Sequence, residues 1–253
     1  MVRKNIEYRT PAIEAYYREH RTRWDQFYES ERVVFEKLGL GSASAVLDVG
    51  CGCGGLGLAL RQHFGVQQYT GVEINRQAAQ TAQLMNPTGR FLRRDLLELS
   101  PSELAEDSFD VVASLSCIDW NIQFAEMLVK AYRYVKPGGY FVSSFRLTSG
   151  ESLIDAQRSY QYVNFQGEKE GEVAPYVILN FGELLGLLKP LVPSRIVGFG
   201  YFGVPSSTAV TPVDKVVFAV IAVQKRGAAA QDTVIDLDLD LPRELLGAGT
   251  RPP

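Results

Sequence analysis

Short runs of β-branched and aliphatic residues alternate with apolar residues at helical spacing over much of the chain. Glycine, proline or small polar residues bound each run, which indicates strands separated by turns. The pattern predicts a strand and turn at Val46 to Gly55, strands at Gln68 to Val72, Arg90 to Arg93, Phe109 to Ser114 and Tyr140 to Phe145, and helices at Leu56 to Phe64, Gln77 to Met85 and Ile122 to Val135. Strands that alternate with such helices predict a parallel sheet with right-handed crossovers.

The regular alternation of strands and helices ends after the fifth strand. Residues 146–180 mix polar, glycine and aromatic residues, and we interpret them as an insertion. A helix resumes at Phe181 to Leu188, and two late strands follow at Arg195 to Phe202 and Lys215 to Val223. The connection between these strands is too short for a crossover helix, so we expect them to pair antiparallel. The predicted fold is therefore α/β, a doubly wound, seven-stranded, mostly parallel sheet whose last strand is antiparallel.

Both ends of the chain lie outside this pattern. Residues 1–40 carry apolar and aromatic positions at helical spacing and predict a helical segment, in one or two pieces, ahead of a main domain at residues 41–226. In the tail, residues 227–253, aliphatic residues alternate with aspartates between Ile235 and Leu241. That alternation fits an edge strand or an acidic partner-binding segment, and a solvated terminus is an alternative.

The amino-acid composition restricts which binding partners and which cellular compartment we expect for this protein. The 253 residues are 46% hydrophobic and 22% charged with a net charge of -3, which fits one globular domain and disfavours nucleic acid as a partner. No apolar run is long enough to cross a bilayer and no signal-peptide core is present, so we expect a cytoplasmic protein without membrane contact. Cys51 and Cys53 could be metal ligands, but without a second Cys or His cluster they cannot complete a tetrahedral site, and we expect no metal.

The segment from Val46 to Leu60 contains the first candidate binding feature, a strand followed by a glycine turn and a helix start. The turn glycines lack a Cβ, so the backbone can take positive φ and let a nucleotide-like ligand approach closely. Ligands of doubly wound sheets bind at the carboxyl ends of the strands, where Glu73 and Asp95 are also predicted to lie. The paired oxygens of the Glu73 carboxylate can accept hydrogen bonds from the two hydroxyls of a ribose. The Asp95 carboxylate can accept a hydrogen bond from the exocyclic amine of adenine. A structural role for Glu73 and a helix cap for Asp95 are alternatives.

The position of Asp48, directly before the glycine turn, distinguishes between two classes of adenosine cofactor. A dinucleotide site places a pyrophosphate on the glycine turn, and a carboxylate directly before the turn would repel it. A sulfonium ligand that carries an α-amino group fits this charge better.

These residues resemble the class I S-adenosylmethionine-dependent methyltransferase family. Five segments carry the resemblance in order, closely over residues 46–145: VLDVGCGCGG, TGVEIN, RRDLLE, FDVVASLS and YVKPGGYFV. The resemblance implies a Rossmann-like fold, S-adenosylmethionine as the methyl donor, S-adenosylhomocysteine as the product, and in-line displacement. The donor-binding residues that it implies are Asp48, Gly50, Cys51, Gly52, Gly54, Glu73, Ile74, Asp95, Leu96, Ser114, Leu115 and Ser116.

The acceptor side has weaker signals. The loop SLSCIDWN follows the fourth strand and lacks the N/D-P-P-Y element of many relatives, which disfavours methylation of nucleobases. Asp119 and His20 are the candidate catalytic bases, with a helix cap and a structural hydrogen bond as the respective alternatives. In this family an N-terminal segment often forms a lid. Candidate substrate-binding residues come from that segment, the loop and the insertion: Tyr16, Tyr17, Trp120, Arg146, Tyr160 and Tyr162.

The sequence as a whole predicts a methyltransferase that acts on a small molecule by O- or N-methylation. Further segments resemble a bacterial subgroup that acts on glycans and other small molecules, which favours a sugar, nucleotide-sugar or natural-product acceptor. A protein or RNA methyltransferase and a non-catalytic regulatory protein that binds S-adenosylmethionine are the alternatives. We expect a monomer or a homodimer.

Overall fold

The computed structural model describes residues 7, 8, 10, 12–164, 166–227 and 234–246. Its helices are α1 (Ala12–Glu19), α2 (Glu29–Glu36), α3 (Gly55–Phe64), α4 (Arg76–Met85), α5 (Phe124–Arg133), α6 (Phe181–Leu188) and α7 (Arg243–Leu246). Its strands are β1 (Ala45–Val49), β2 (Gln68–Glu73), β3 (Arg90–Arg93), β4 (Phe109–Ser114), β5 (Val135–Thr148), β6 (Tyr160–Tyr162), β7 (Val173–Pro175), β8 (Leu179–Asn180), β9 (Arg195–Gly203), β10 (Ala209–Val210), β11 (Val216–Gln224) and β12 (Asp236–Asp240).

One large sheet organises the fold, in the strand order β12-β9-β11-β5-β4-β1-β2-β3, with β8 beside β5. Strands β1 to β5 run parallel to one another. Strand β11 is antiparallel to both β5 and β9. The predicted α/β fold with an antiparallel strand near the end of the chain is confirmed.

The sheet is wider than the predicted seven strands, because β8 and β12 extend it to nine. Strand β12 lies parallel to β9 at the edge of the sheet. Its aspartates meet basic side chains: Arg195 contacts Asp236 and Asp238 at 3.1 Å each, and Lys37 contacts Asp238 at 3.0 Å. The alternating segment of the tail is thus an edge strand, while residues 228–233 and 247–253 lie outside the described residues.

Helices cover both faces of this sheet. On one face, α2 and α3 bury Phe35 and Leu60 against Val111. On the other face, α5 buries Leu128 against Val112. Neighbouring residues of β4 therefore point into opposite cores, as the two-residue period of a strand requires. Burial on both faces fixes the strand ends that form the rim of the site.

A small second sheet, in the order β10-β6-β7, lies beside the main one and is antiparallel throughout. The predicted insertion supplies β6 and β7, and the connection between β9 and β11 supplies β10. Tyr176 and Ile178 pack in a cluster with Val216, against which Trp120 is partly buried. The insertion was predicted to begin at Arg146, but β5 continues to Thr148, so Arg146 belongs to the central sheet.

The N-terminal segment forms two helices, α1 and α2, joined through a short 3-10 turn at Trp24–Gln26. Helix α1 lies over the glycine turn and against α4. The Thr81 hydroxyl donates to the Glu14 carboxylate at 2.7 Å, and the Cys53 thiol donates to the Glu14 carbonyl at 3.5 Å. This helix therefore covers the carboxyl end of β1.

Candidate active site

The glycine turn after β1 forms the floor of a cavity at the carboxyl ends of β1, β2 and β4. Gly50 and Gly52 have φ values of +71° and +53°, a region that favours glycine. The N–H groups of Gly50 and Cys51 both donate to the Val72 carbonyl, at 2.8 and 3.2 Å. A Cβ on Gly50 would overlap the Cys117 sulfur. These two hydrogen bonds hold the turn against β2, and position 50 has no room for a side chain.

Two carboxylates at strand ends face this cavity. Asp48 accepts a hydrogen bond from the Tyr69 hydroxyl at 2.5 Å, and burial raises the pKa of Asp48 to about 7. The two oxygens of Glu73 accept from the backbone N–H groups of Asn75 and Gly52, each at 2.8 Å. Burial also raises the pKa of Glu73, and those two N–H groups lower it. Glu73 is thus held in a fixed orientation toward the cavity.

A smaller cavity adjoins the first through Gly50 and Ile74, and Asp95 and Leu96 line it. Asp95 is 8% exposed, and its carboxylate accepts from the Leu97 N–H at 2.9 Å. Asp95 therefore does cap the turn that follows it, and its side chain also lines the adjoining cavity. The structure brings Ile74, Asp95 and Leu96 together beside the glycine turn, as the resemblance implies for an adenine pocket.

The residues after β4 close the other end of the cavity. Leu115 and Ser116 line it. Ser116 adopts a φ of +51°, a strained conformation for serine of the kind that clusters at functional sites. Ser114 is fully buried within β4, and its carbonyl accepts from Ser143 Oγ at 3.0 Å. Gly54 caps α3 and packs against Phe91. Ser114 and Gly54 thus support the cavity from behind.

The N-terminal helix supplies the roof. Tyr17 lines the cavity, and burial raises the pKa of its hydroxyl to about 12. His20 lies at the exposed rim, where its Nδ1 is 2.9 Å from the Tyr16 carbonyl and its ring stacks on Tyr16 at 4.2 Å. Tyr16 also lies edge-on to Tyr17, with ring centroids 5.2 Å apart, and so packs behind it.

Tyr8 and Arg21 also line this cavity, and neither was among the predicted site residues. The Tyr8 carbonyl accepts from Asn75 Nδ2 at 2.8 Å, and burial raises the pKa of the Tyr8 phenol well above its usual range. Arg21 follows α1 with a φ of +60°. Both positions depend on contacts between distant parts of the chain, so no local pattern marks them.

A second cavity, of about 410 Å³, meets the first at Ser116 and Trp120. It lies between β5, β11, the start of α2 and the small sheet. Aromatic rings and polar side chains share its walls. The residues that line it include Tyr28, Glu31, Asp119, Arg146, Gln161 and Tyr176.

A buried ion pair lines this second cavity. Arg146 Nη1 lies 3.1 Å from Asp119 Oδ2, and the two side chains are only 5% and 7% exposed. The guanidinium stacks between Trp120 at 4.3 Å and Tyr176 at 3.9 Å. Burial raises the pKa of Asp119, and Arg146 lowers it. Asp119 Oδ1 is buried and has no hydrogen-bond partner among the described residues.

Tyr160 and Tyr162 occupy a different place from the one expected. Both lie on β6, where they pack edge-on against each other with centroids 5.7 Å apart. Gln161, between them, lines the second cavity. Successive side chains of a strand point to opposite faces, so the two tyrosines point away from the cavity. The sequence placed both tyrosines in an insertion beside the cleft, and Gln161 is the residue of this strand that lines the cavity.

Comparisons with known proteins concern the sequence and the fold of the segment that carries the first cavity. Residues 46–139 match the family model of a methyltransferase domain. These residues are thus similar in sequence to a methyltransferase domain. The methyl donor of such domains is S-adenosylmethionine, and the residues at the first cavity fit it: a glycine turn with positive φ at Gly50 and Gly52, an oriented carboxylate at Glu73 and a buried carboxylate at Asp48. We therefore name the first cavity the donor cavity and the second the acceptor cavity.

A curated relative is similar to part of this chain in sequence, and two solved structures share its fold. Phthiotriol/phenolphthiotriol dimycocerosates methyltransferase 1 of Mycobacterium ulcerans is 33% identical over 103 residues, which are 40% of this chain and 37% of the relative. The chain thus matches little more than a third of that relative's length. The YcgJ protein of Bacillus subtilis has a TM-score of 0.56 at 12% identity, covering 79% of this chain and all of that one. Phosphoethanolamine N-methyltransferase 2 of Haemonchus contortus, solved with S-adenosylmethionine, has a TM-score of 0.56 at 15% identity, covering 80% of this chain and 53% of that one.

Two searches of the described residues bear on other ligands. No described helix is both long and apolar enough to span a membrane. No group of three or more His, Cys, Asp or Glu side chains in the described ranges is arranged to hold a metal ion.

Proposed function

We propose that this methyltransferase domain methylates a hydroxyl or amino group of a small molecule. The observation that carries the proposal is the acceptor cavity, which meets the donor cavity at Ser116 and Trp120. Its volume of about 410 Å³ falls within the range of about 300–1,000 Å³ that small-molecule sites occupy. A protein or RNA acceptor calls for a long, open and basic trench, and this cavity is compact and holds two acidic residues, Glu31 and Asp119.

The donor cavity supplies the groups that a bound donor needs. S-adenosylmethionine, when bound, provides an activated methyl group on a sulfonium, which the acceptor displaces in line. Glu73 would present its fixed carboxylate to the ribose hydroxyls, and Asp95 with Leu96 would border the adenine. Asp48 would offer negative charge at the amino-acid end. The reactive end of the donor would then lie toward Ser116, where the two cavities meet.

We assign to Asp119 the role of the general base that takes the proton from the acceptor's hydroxyl or amino group. Its Oδ1 lies buried beside the acceptor cavity with no partner among the described residues, so an acceptor O–H or N–H would satisfy it. Arg146 fixes Asp119 through Oδ2 and through a 2.8 Å bond to the Asp119 carbonyl. We therefore assign Arg146 to positioning Asp119. His20 stands at the exposed rim of the donor cavity and is the weaker candidate base.

The walls of the acceptor cavity favour an acceptor with apolar faces and several hydroxyls. Rings of Tyr28, Trp120 and Tyr176 offer flat apolar surfaces, and Gln161 and Glu31 offer hydrogen bonds between them. A sugar, a nucleotide-linked sugar or a hydroxylated natural product has that combination.

The compartment that we propose is the cytoplasm. Cys51, Cys53 and Cys117 are all free thiols, two of them buried beside the donor cavity. Free thiols are typical of a reducing compartment.

Transfer of a labelled methyl group tests the acceptor class. The protein is incubated with methyl-labelled S-adenosylmethionine and a cell extract, which is then divided into a small-molecule filtrate and the retained protein and RNA. We expect the label in the filtrate. Asp119→Asn should lower that transfer by about 100-fold or more while it leaves donor affinity unchanged. Label that accumulates in retained protein or RNA would contradict the proposal.

A further inference from the structure

Two side chains on one face of β5 hold the loop that follows β4. Ser144 and Arg146 lie two residues apart and both line the acceptor cavity. The side chain of Phe145, between them, packs into the core on the other face of the sheet, as the alternation of a strand requires. Ser144 Oγ accepts from the Ser116 N–H at 2.7 Å, and Arg146 Nη1 donates to the Asp119 carbonyl at 2.8 Å. The loop is therefore held at two points three residues apart.

Ser116 is a point where the backbone needs such support. Its φ of +51° lies in a region that few residues other than glycine adopt. A residue keeps such a conformation only where the surrounding structure over-determines it, and the bond to Ser144 is the contact that fixes the Ser116 N–H. Because Ser116 lies where the donor and acceptor cavities meet, a relaxed backbone here would move the wall between the two cavities.

The Ser144 hydroxyl also acts on Asp119, which lines the same cavity. Burial raises the pKa of Asp119, and Arg146 lowers it. Glu31, at the start of α2, raises that pKa further, and the Ser144 hydroxyl lowers it. Burial also raises the pKa of three neighbouring groups, which therefore carry no charge near neutral pH: Tyr8, Cys117 and Tyr176. Loss of the hydroxyl would thus raise the pKa of Asp119.

We propose that Ser144 is a positioning residue for methyl transfer, which holds Ser116 in place and, through the loop, keeps Asp119 oriented toward the acceptor. The inference rests on the proposed function, because it takes Asp119 as the base and the meeting point of the two cavities as the place of transfer. Transfer between two bound molecules is sensitive to such positioning, and a displacement of about 1 Å costs about 100-fold in rate.

The test measures transfer of a labelled methyl group to the small-molecule filtrate of a cell extract. Each variant is assayed at a concentration of S-adenosylmethionine that calorimetry shows to be saturating, so that changes in donor affinity do not enter the rate. We expect Ser144→Ala to lower the initial rate by about 10- to 100-fold. It should also move the acidic limb of the pH–rate profile to higher pH, because the pKa of Asp119 rises and the base must be deprotonated.

Two further variants at the same position separate positioning from a general loss of packing. Ser144→Thr keeps the hydroxyl, and its added methyl group has room because Ser144 lines a cavity. We expect it to restore the rate to within about threefold of wild type and to return the acidic limb to its wild-type place. Ser144→Cys has a thiol that is only a weak acceptor, and its rate should lie between those of the alanine and threonine variants.

Ser152→Ala is the matched control. Ser152 Oγ also accepts from a backbone N–H at 2.7 Å, that of Asn180, and Ser152 is not among the described residues that line either cavity. This variant should keep the wild-type rate and pH profile. A wild-type rate and profile in Ser144→Ala overturns the proposal, and so does a threonine variant that behaves like the alanine variant. If Ser144→Ala does not bind the donor, a wild-type rate in Ser144→Cys overturns it. A wild-type protein that transfers no label to the filtrate contradicts the proposed function instead.

Discussion

Breaking the Asp119–Arg146 ion pair from one side should destabilise the fold strongly. The pair is buried, with Nη1 and Oδ2 3.1 Å apart. Arg146→Met keeps an unbranched side chain between the rings of Trp120 and Tyr176 but leaves Asp119 as a buried carboxylate without a counter-charge. Removing one member of a buried pair costs about 3–5 kcal/mol. The variant also loses the 2.8 Å bond to the Asp119 carbonyl. We therefore expect the free energy of unfolding to fall by about 3–5 kcal/mol.

Urea unfolding of a double-mutant cycle measures this loss. Arg146→Met/Asp119→Asn removes both charges, so it should be more stable than Arg146→Met alone by about 1–2 kcal/mol. The control is Arg158→Met, because Arg158 and Glu151 form an exposed pair at 3.7 Å. Such a pair contributes about 0–1 kcal/mol. A loss below about 1 kcal/mol for Arg146→Met, or simple additivity in the cycle, would refute the reasoning.

Two further predictions concern the donor cavity. Burial raises the pKa of Asp48 to about 7, so between about pH 4 and pH 7 the folded state keeps a proton that the unfolded state has lost. Stability of the ligand-free protein should therefore fall as the pH rises through that window, and Asp48→Asn should remove this part of the fall in urea unfolding; identical profiles would contradict this. Gly55→Ala should displace the Arg21 carbonyl and weaken S-adenosylhomocysteine binding about tenfold in calorimetry. Gly186→Ala, which adds a Cβ into open space, should not, and equal affinities for the two variants would disprove this role of Gly55.

The main sheet could be predicted because its signals are local. A β-branched run that ends in an acid and a glycine turn identifies β1, and Glu73 and Asp95 follow their strands directly. Parallel strands bring such ends to one edge, so the residues around the donor cavity follow from strand positions alone. The edge strand Asp236–Asp240 was only one of several alternatives, because its stabilising partners, Arg195 and Lys37, are distant in sequence.

The acceptor side could not be predicted in the same way. Whether Tyr160 or Gln161 faces the cavity depends on the register of a three-residue strand, and a shift of one residue reverses the faces. Arg146 was expected in a loop as a substrate contact, and only the pairing of β5 with β11 places it beside Asp119. Arg21 needs both a left-handed backbone and a buried partner from the next helix. Each of these positions depends on tertiary contacts that no short segment encodes.

Calorimetric titration with S-adenosylmethionine tests the central claim most directly, in the wild-type protein and in Asp48→Ala and Glu73→Ala. The account predicts one binding site in the wild-type protein. It predicts a loss of affinity of about tenfold or more in each variant, because each removes a charged hydrogen-bonding group of the cavity. Wild-type affinity in both variants would contradict the assignment of the donor cavity.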